Sequence, residues 1–144
     1  MDVQIRPART TDAPAVWELN TAEMGYDFPL EETARRLALL TQRASDRVFI
    51  AETDGAVVGY IHAADYELLY APPYKNVLGI AVARAYQRRG IGRLLLQAVE
   101  QWARQTGAQG VRLCSGESRR GAHAFYERCG YTRVKRQWNF QRRL

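Results

Sequence analysis

Between Ile91 and Ala103 the apolar residues Ile91, Leu94, Leu95, Ala98, Val99, Trp102 and Ala103 fall at i, i+3, i+4, i+7, i+8, i+11 and i+12. That spacing is one face of an α-helix, and Gly107 supplies a stop. The run from Val77 to Val82 just before it is almost wholly apolar and predicts a strand. Upstream, Val3 and Ile5 alternate with Gln4 and Arg6, a short strand entry. Ala13, Val16, Trp17, Asn20 and Met24 mark the face of a first helix, with Thr10, Thr11 and Asp12 as N-cap candidates and Pro14 in its first turn. Leu30, Ala34, Leu37, Ala38 and Thr41 give a second helix whose start carries Glu31 and Glu32, reaching about Ala44. Val48 to Thr53 and Ala56 to Ala64 read as strands joined at Asp54-Gly55, a hairpin dipeptide that tolerates positive φ at both positions. Asp65 to Lys75, rich in tyrosine and carrying Pro72-Pro73, reads as a loop.

After the long helix, Val111 to Cys114 predicts a strand. Gly121 to Cys129 predicts a short helix with Ala122, Phe125, Tyr126 and Cys129 on one side, closed by Gly130. Tyr131 to Val134 and Gln137 to Arg142 predict a terminal pair of strands. The order β-α-α-β-β-β-α-β-α-β-β implies an α/β fold: a mixed, mostly antiparallel central sheet of about seven strands with helices on both faces. No repeat, low-complexity stretch or linker interrupts it, so a single domain over residues 1–144 is expected.

Composition adds limits. No apolar run has the length that spans a bilayer. The first residues lack the basic and then apolar regions of a signal peptide, so a cytoplasmic protein is expected. Cys114 and Cys129 have no CxxC spacing and the chain has two histidines, so no metal site is expected. The net charge is +6. The excess gathers near Arg84, Arg88, Arg89 and Arg93, at Arg119-Arg120 and at the C-terminus, which suits a polyanionic small molecule. The basic residues lack the interleaved aromatics of a nucleic-acid platform, and no nucleic-acid partner is expected.

The four arginines surround a turn with two glycines, Gly90 and Gly92, set between strand and helix. Main-chain N–H groups of a first helical turn have no internal partner, the helix dipole adds positive potential, and glycine lets a bulky anion approach. Phosphate or pyrophosphate is the natural occupant. Neither the GxxxxGK[ST] nor the GxGxxG pattern is present.

Gln87-Arg88-Arg89-Gly90-Ile91-Gly92 fits [Q/R]-x-x-G-x-[G/A], and Ala122 to Tyr131 fits A-x-x-x-Y-x-x-x-G-[FY]. In this order, with Ile5-Arg6-Pro7-Ala8 before Asp12 and the Asp54-Gly55 hairpin, nearly the whole chain resembles the GNAT superfamily of N-acetyltransferases. The resemblance implies transfer of an acetyl group from acetyl-CoA to an amine in a ternary complex. It implies a splayed strand pair, with pantetheine lying along Ile80, Ala81 and Val82 opposite Val111 to Cys114. It implies pyrophosphate on the N–H groups of Arg88, Arg89, Gly90, Ile91, Gly92 and Arg93, with Gln87 as the first motif residue of the cofactor site, and Tyr126 beside the thioester sulfur as general acid. Arg119 stands where relatives often carry asparagine, and is a candidate for a CoA phosphate. Many relatives place a carboxylate just before the motif valine, where this chain has Leu78, Gly79 and Ile80. Asp65 or Glu67 is then the candidate base, with Glu23 a further carboxylate near the expected substrate mouth. Tyr26, Phe28, Tyr66 and Tyr70 are candidate substrate contacts, because aromatic faces hold cations. The C-terminal pattern is similar to small-molecule N-acetyltransferases. A protein acetyltransferase and a non-catalytic acyl-CoA sensor are the alternatives, and a homodimer is a further expectation from the resemblance.

Overall fold

A computed structural model describes residues 2–144. It contains β1 (Gln4–Pro7), α1 (Ala13–Ala22), α2 (Leu30–Leu40), β2 (Asp46–Thr53), β3 (Ala56–Leu68), β4 (Ala71–Val82), α3 (Ile91–Gln105), β5 (Val111–Leu113) and α4 (Arg120–Arg128). The chain divides into two compact units, Met1–Leu113 and Cys114–Leu144.

The first unit is built on a five-stranded sheet in the order β1-β2-β3-β4-β5. Every neighbouring pair is antiparallel except β4 and β5, which run parallel across α3. Strand alternation divides the apolar side chains between two faces. Val48, Ile50, Tyr60 and Ala81 pack with Ala13, Val16 and Leu19 of α1 and Leu37 of α2. On the other face α3 buries Ile91, Leu95, Leu96, Val99 and Trp102. Gly59 is the tightest point there. A Cβ at that residue would lie 3.0 Å from the Ala81 carbonyl oxygen and 3.3 Å from Leu95 Cδ1.

The β2–β3 turn has Asp54 at φ 53° and Gly55 at φ 75°, the positive pair that the dipeptide predicted. Buried charges are paired. Arg6 grips Asp12 through both terminal nitrogens at 2.9 Å and Glu52 through Nε at 2.6 Å. Asp46 is held by His62 Nε2 at 2.7 Å and by the Ser45 hydroxyl at 2.8 Å. Lys75, 5% exposed, donates to Asp65 at 2.6 Å and lies 3.8 Å from the ring centre of Trp102.

Two sequence expectations give way. Asp65 to Lys75 is the end of a long hairpin, not a loop: Asp65 pairs with Lys75 and Tyr66 with Tyr74. Pro72 and Pro73 sit where the register shifts between Tyr66 and Leu68, a break in the ladder that needs no N–H from them. The expected sheet of about seven strands has five among the described residues, because the terminal pair does not form. Residues 131–144 carry neither strand nor helix, and a strand is defined by a hydrogen-bonded neighbour that this segment does not find.

In the second unit α4 is closed by Gly130 at φ 94°, whose N–H donates to the Glu127 carbonyl at 3.0 Å. His123 Nε2 meets the Gly116 carbonyl at 2.8 Å, and the Arg119 side chain folds over Gly116. Val134, Trp138 and Phe140 are exposed.

Candidate active site

Strand β4 has a strand neighbour on both sides only in its middle. β5 pairs with Lys75, Asn76 and Val77 and then stops, so among the described residues Leu78 to Val82 have no strand partner on that edge. Leu78 is the extra residue of a β-bulge, since His62 pairs with Gly79 and Ala63 with Val77. The Ala83 N–H donates to the Val58 carbonyl at 2.8 Å. Alternation therefore turns the main chain of Ala81 toward β3 and that of Ile80 and Val82 toward the open edge. Ile80 and Val82 are only half-buried.

The open edge runs into the glycine turn. A short 3-10 turn at Arg84–Tyr86 precedes it. Gln87 Nε2 donates to the Val82 carbonyl at 3.0 Å, tying the turn back to the strand. Arg88 at φ 63° and Gly90 at φ 82° both take the left-handed conformation. The pair throws the chain into α3 with its first turn facing outward. Gly90 is the N-cap and no side chain caps this helix. A Cβ at Gly90 would meet nothing within 4 Å, so the approach to these N–H groups is open. Arg89 stacks on Tyr86 at 5.5 Å. A polyanion fits this donor set: unpaired strand edge, uncapped helix start and a basic rim.

On the α1 face a cavity of about 470 Å³ is lined by Asn20, Gly25, Tyr26, Asp27 and Phe28. Its loop is held by the Tyr26 N–H on the Asn20 carbonyl at 3.0 Å and by the Trp17 indole N–H on the Phe28 carbonyl at 2.8 Å. Tyr26 and Phe28 thus meet in one recess. Tyr66 and Tyr70 do not join it: Tyr66 lies under the Arg112 guanidinium at 4.2 Å and Tyr70 is exposed at the hairpin tip. Asp65 is occupied by Lys75 on the α3 face, and Glu67 is exposed on β3. Glu23 accepts a bond from the Arg84 N–H at 3.2 Å, beside the glycine turn.

The second unit carries Tyr126 and Arg119. Tyr126 is 9% exposed and contacts the rings of Phe125 at 5.2 Å and Tyr131 at 6.3 Å. Burial pushes its hydroxyl above the ordinary value; Arg119 pulls the other way and Cys129 adds to the rise. The group stays protonated at neutral pH, as a proton donor must. Among the described residues no helix is long and apolar enough to cross a membrane, and no group of three or more His, Cys, Asp or Glu could hold a metal ion.

A model of the acetyltransferase (GNAT) family matches residues 13–131. The chain belongs to that family. It is 33% identical over 138 residues to an aminoglycoside N(6')-acetyltransferase type 1 of Stenotrophomonas maltophilia, covering 92% of this chain and 88% of the relative. It is 30% identical over 142 residues to an N-alpha-acetyltransferase of Sulfurisphaera tokodaii, covering 93% and 83%. The aminoglycoside N-acetyltransferase AAC(6')-Iy in complex with CoA has the same fold, with a TM-score of 0.89 at 18% identity over 99% of this chain and 96% of that one. Family and relatives together make this chain an N-acetyltransferase.

Tyr60 is a polar contact with no local signal in the sequence. It falls within an apolar strand run, where its hydroxyl gives no signal of its own. In the fold that hydroxyl donates to Asn20 Oδ1 at 2.5 Å, next to the cavity.

Proposed function

We propose that this GNAT enzyme transfers the acetyl group of acetyl-CoA to a primary amine of a small molecule, by direct attack in a ternary complex. The observation that carries this reading is the β4 edge left open from Leu78 to Val82, continuing into an uncapped helix start. Acetyl-CoA supplies an acyl carbon activated as a thioester and a thiolate that leaves. The main-chain groups of Ile80 and Val82 hold the pantetheine, with Ala81 fixing the strand between them. The turn from Gln87 through Arg93, including Arg88, Arg89, Gly90, Ile91 and Gly92, takes the pyrophosphate, and Arg119 takes a further phosphate. Tyr126 gives its proton to the departing thiolate.

The acceptor enters through the recess of Tyr26 and Phe28, whose ring faces and Asp27 suit a cation. No ionisable side chain stands at Leu78, Gly79 or Ile80, so the proton of the incoming ammonium leaves by way of water; Glu67 is the exposed carboxylate for it, since Asp65 is engaged by Lys75 on the α3 face. Relatives named for aminoglycosides make an amino sugar the first acceptor to try. A relative named as an N-alpha-acetyltransferase makes a peptide N-terminus the second. The proposal also includes a cytoplasmic location and a homodimer, for which the exposed Val134, Trp138 and Phe140 offer apolar surface.

A thiol-release assay over a panel of amino sugars, alkylamines, amino acids and a short peptide decides between these. Thiol release with a small amine is expected. Release with the peptide alone would move the enzyme to protein acetylation. Absence of acetyl-CoA binding by low-salt calorimetry would end the proposal. Tyr126→Phe is expected to bind acetyl-CoA normally and to lose about a hundredfold in kcat, within the usual range for a missing general acid; unchanged turnover would remove Tyr126 from the chemistry.

A further inference from the structure

Tyr60 stands on β3 and is 7% exposed. Its hydroxyl donates to Asn20 Oδ1 at 2.5 Å. Asn20, in the last turns of α1, also receives the Tyr26 N–H on its main-chain carbonyl at 3.0 Å and lines the cavity. One residue therefore shapes the recess and aims the hydroxyl. On the other side the same hydroxyl lies over β4: a Cβ on Gly79 would be 3.2 Å from the Tyr60 oxygen. Gly79 belongs to the β4 stretch with the open edge. The Tyr60 oxygen thus lies between Asn20, a lining residue of the cavity, and Gly79 of the strand that suits a thioester. A side chain at position 79 would crowd that oxygen.

A phenolic oxygen that donates its one hydrogen still has lone pairs to accept with. Asn20 takes the hydrogen, which leaves the oxygen as an acceptor only. An attacking amine has N–H groups to donate and needs its own lone pair kept for the acyl carbon. An acceptor beside the strand satisfies one N–H and fixes the direction of that lone pair. Burial raises the Tyr60 hydroxyl above its ordinary value, Asn20 works against that, and Tyr26 adds to it, so the group is neutral and acts by geometry.

We propose that Tyr60 binds the acceptor by taking a hydrogen bond from its attacking nitrogen, and that Asn20 is the positioning residue that holds the hydroxyl in the accepting orientation. This rests on the acetyl-transfer reading above. It assigns the recess to ligands with a nitrogen-bound hydrogen at the reacting end, and it gives Gly79 a steric reason.

The test uses wild-type protein, Tyr60→Phe, Asn20→Ala and the double variant, with the best small amine of the panel as acceptor. Tyr60→Phe is expected to lower kcat/KM for the amine about tenfold, the scale of one lost hydrogen bond, with the acetyl-CoA Kd unchanged. Asn20→Ala is expected to lower it in the same direction. The double variant is expected to be no worse than the poorer single one, because both remove the same bond. A merely structural loss would move both ligands together. An unchanged amine kcat/KM in Tyr60→Phe, an equal loss in acetyl-CoA affinity, or additive single effects would overturn the inference and leave the proposed function standing. Should Tyr60→Phe not fold, Asn20→Ala decides alone by the same split between amine and acetyl-CoA. A wild-type protein that binds no acetyl-CoA and acetylates no amine would overturn both.

Discussion

Position 90 shows how one backbone angle serves the site. Gly90 at φ 82° lets the chain turn into α3, and an L side chain there costs about 1–2 kcal/mol. Gly90→Val is expected to lower stability by about that much in urea and to weaken acetyl-CoA binding in calorimetry; full binding with unchanged stability would show that the turn does not use this geometry. Arg88 takes a similar angle, φ 63°, without glycine's freedom. A positive φ is unusual for a non-glycine residue, and here it places a charged side chain in the turn. Elsewhere single side chains bear the acid response. Asp12 is lowered first of all by the hydrogen bonds of Arg6, against the opposing effect of burial. For Asp46 burial is the largest influence and pushes upward, but the hydrogen bonds of His62 and Ser45 outweigh it. Both carboxylates bind a proton less readily folded than unfolded. Their stabilisation is complete above the ordinary carboxylate value of about 4 and drains as pH falls through the lowered folded values. The urea midpoint should therefore fall in acid, and fall less steeply for Asp12→Asn; an identical acid slope in that variant would contradict the assignment. Arg6→Ala, which leaves Asp12 buried without its counter-charge and with only the Arg9 N–H, is expected to cost about 3 kcal/mol.

At the scale of elements, α3 and the β2–β3 hairpin were legible because each carries a local signal. The seven apolar positions of α3 repeat at helical spacing, and Asp54-Gly55 is a turn dipeptide with its own backbone preference. The far end of the β3–β4 hairpin was not legible. Its residues Asp65, Tyr66, Glu67 and Tyr74 mix polar and aromatic types, and Pro72-Pro73 reads as a breaker. Pairing made them a hairpin: Lys75 joins Asp65 and covers Trp102, and Gln109 donates its N–H to the Pro73 carbonyl at 2.8 Å. Lys75→Met keeps the stem but loses the ion pair and the cation over the ring. It is expected to destabilise by about 1 kcal/mol in denaturant melts, since Asp65 is exposed enough to be rehydrated.

For the molecule as a whole, the net charge is +6, and Arg84, Arg88, Arg89 and Arg93 bring part of it to the turn that the proposal gives to pyrophosphate. Binding of acetyl-CoA should then weaken with salt, on the order of tenfold between low ionic strength and half-molar salt, as screening shortens the reach of Arg84, Arg88, Arg89 and Arg93. A salt-independent Kd would place the cofactor away from that rim. The terminal segment teaches the opposite lesson. Val134, Trp138 and Phe140 alternate with polar residues as a strand should, yet no strand forms there, because alternation prepares a strand and only a neighbour completes it.

The sequence by itself determined the α/β order through α4, the glycine turn between strand and helix, the hairpin turn and the family motifs around Gly90 and Tyr126. These are signals contained within a few consecutive residues, where backbone preference and periodicity act directly. Only the tertiary structure decided that β5 pairs no further along β4 than Val77 and leaves Leu78 to Val82 open. It alone brought Asn20, Tyr60 and Gly79 to one point. Those residues come from different elements, and their meeting depends on strand register and on the packing of α1 over the sheet, neither of which is contained in any one of the segments that supply them.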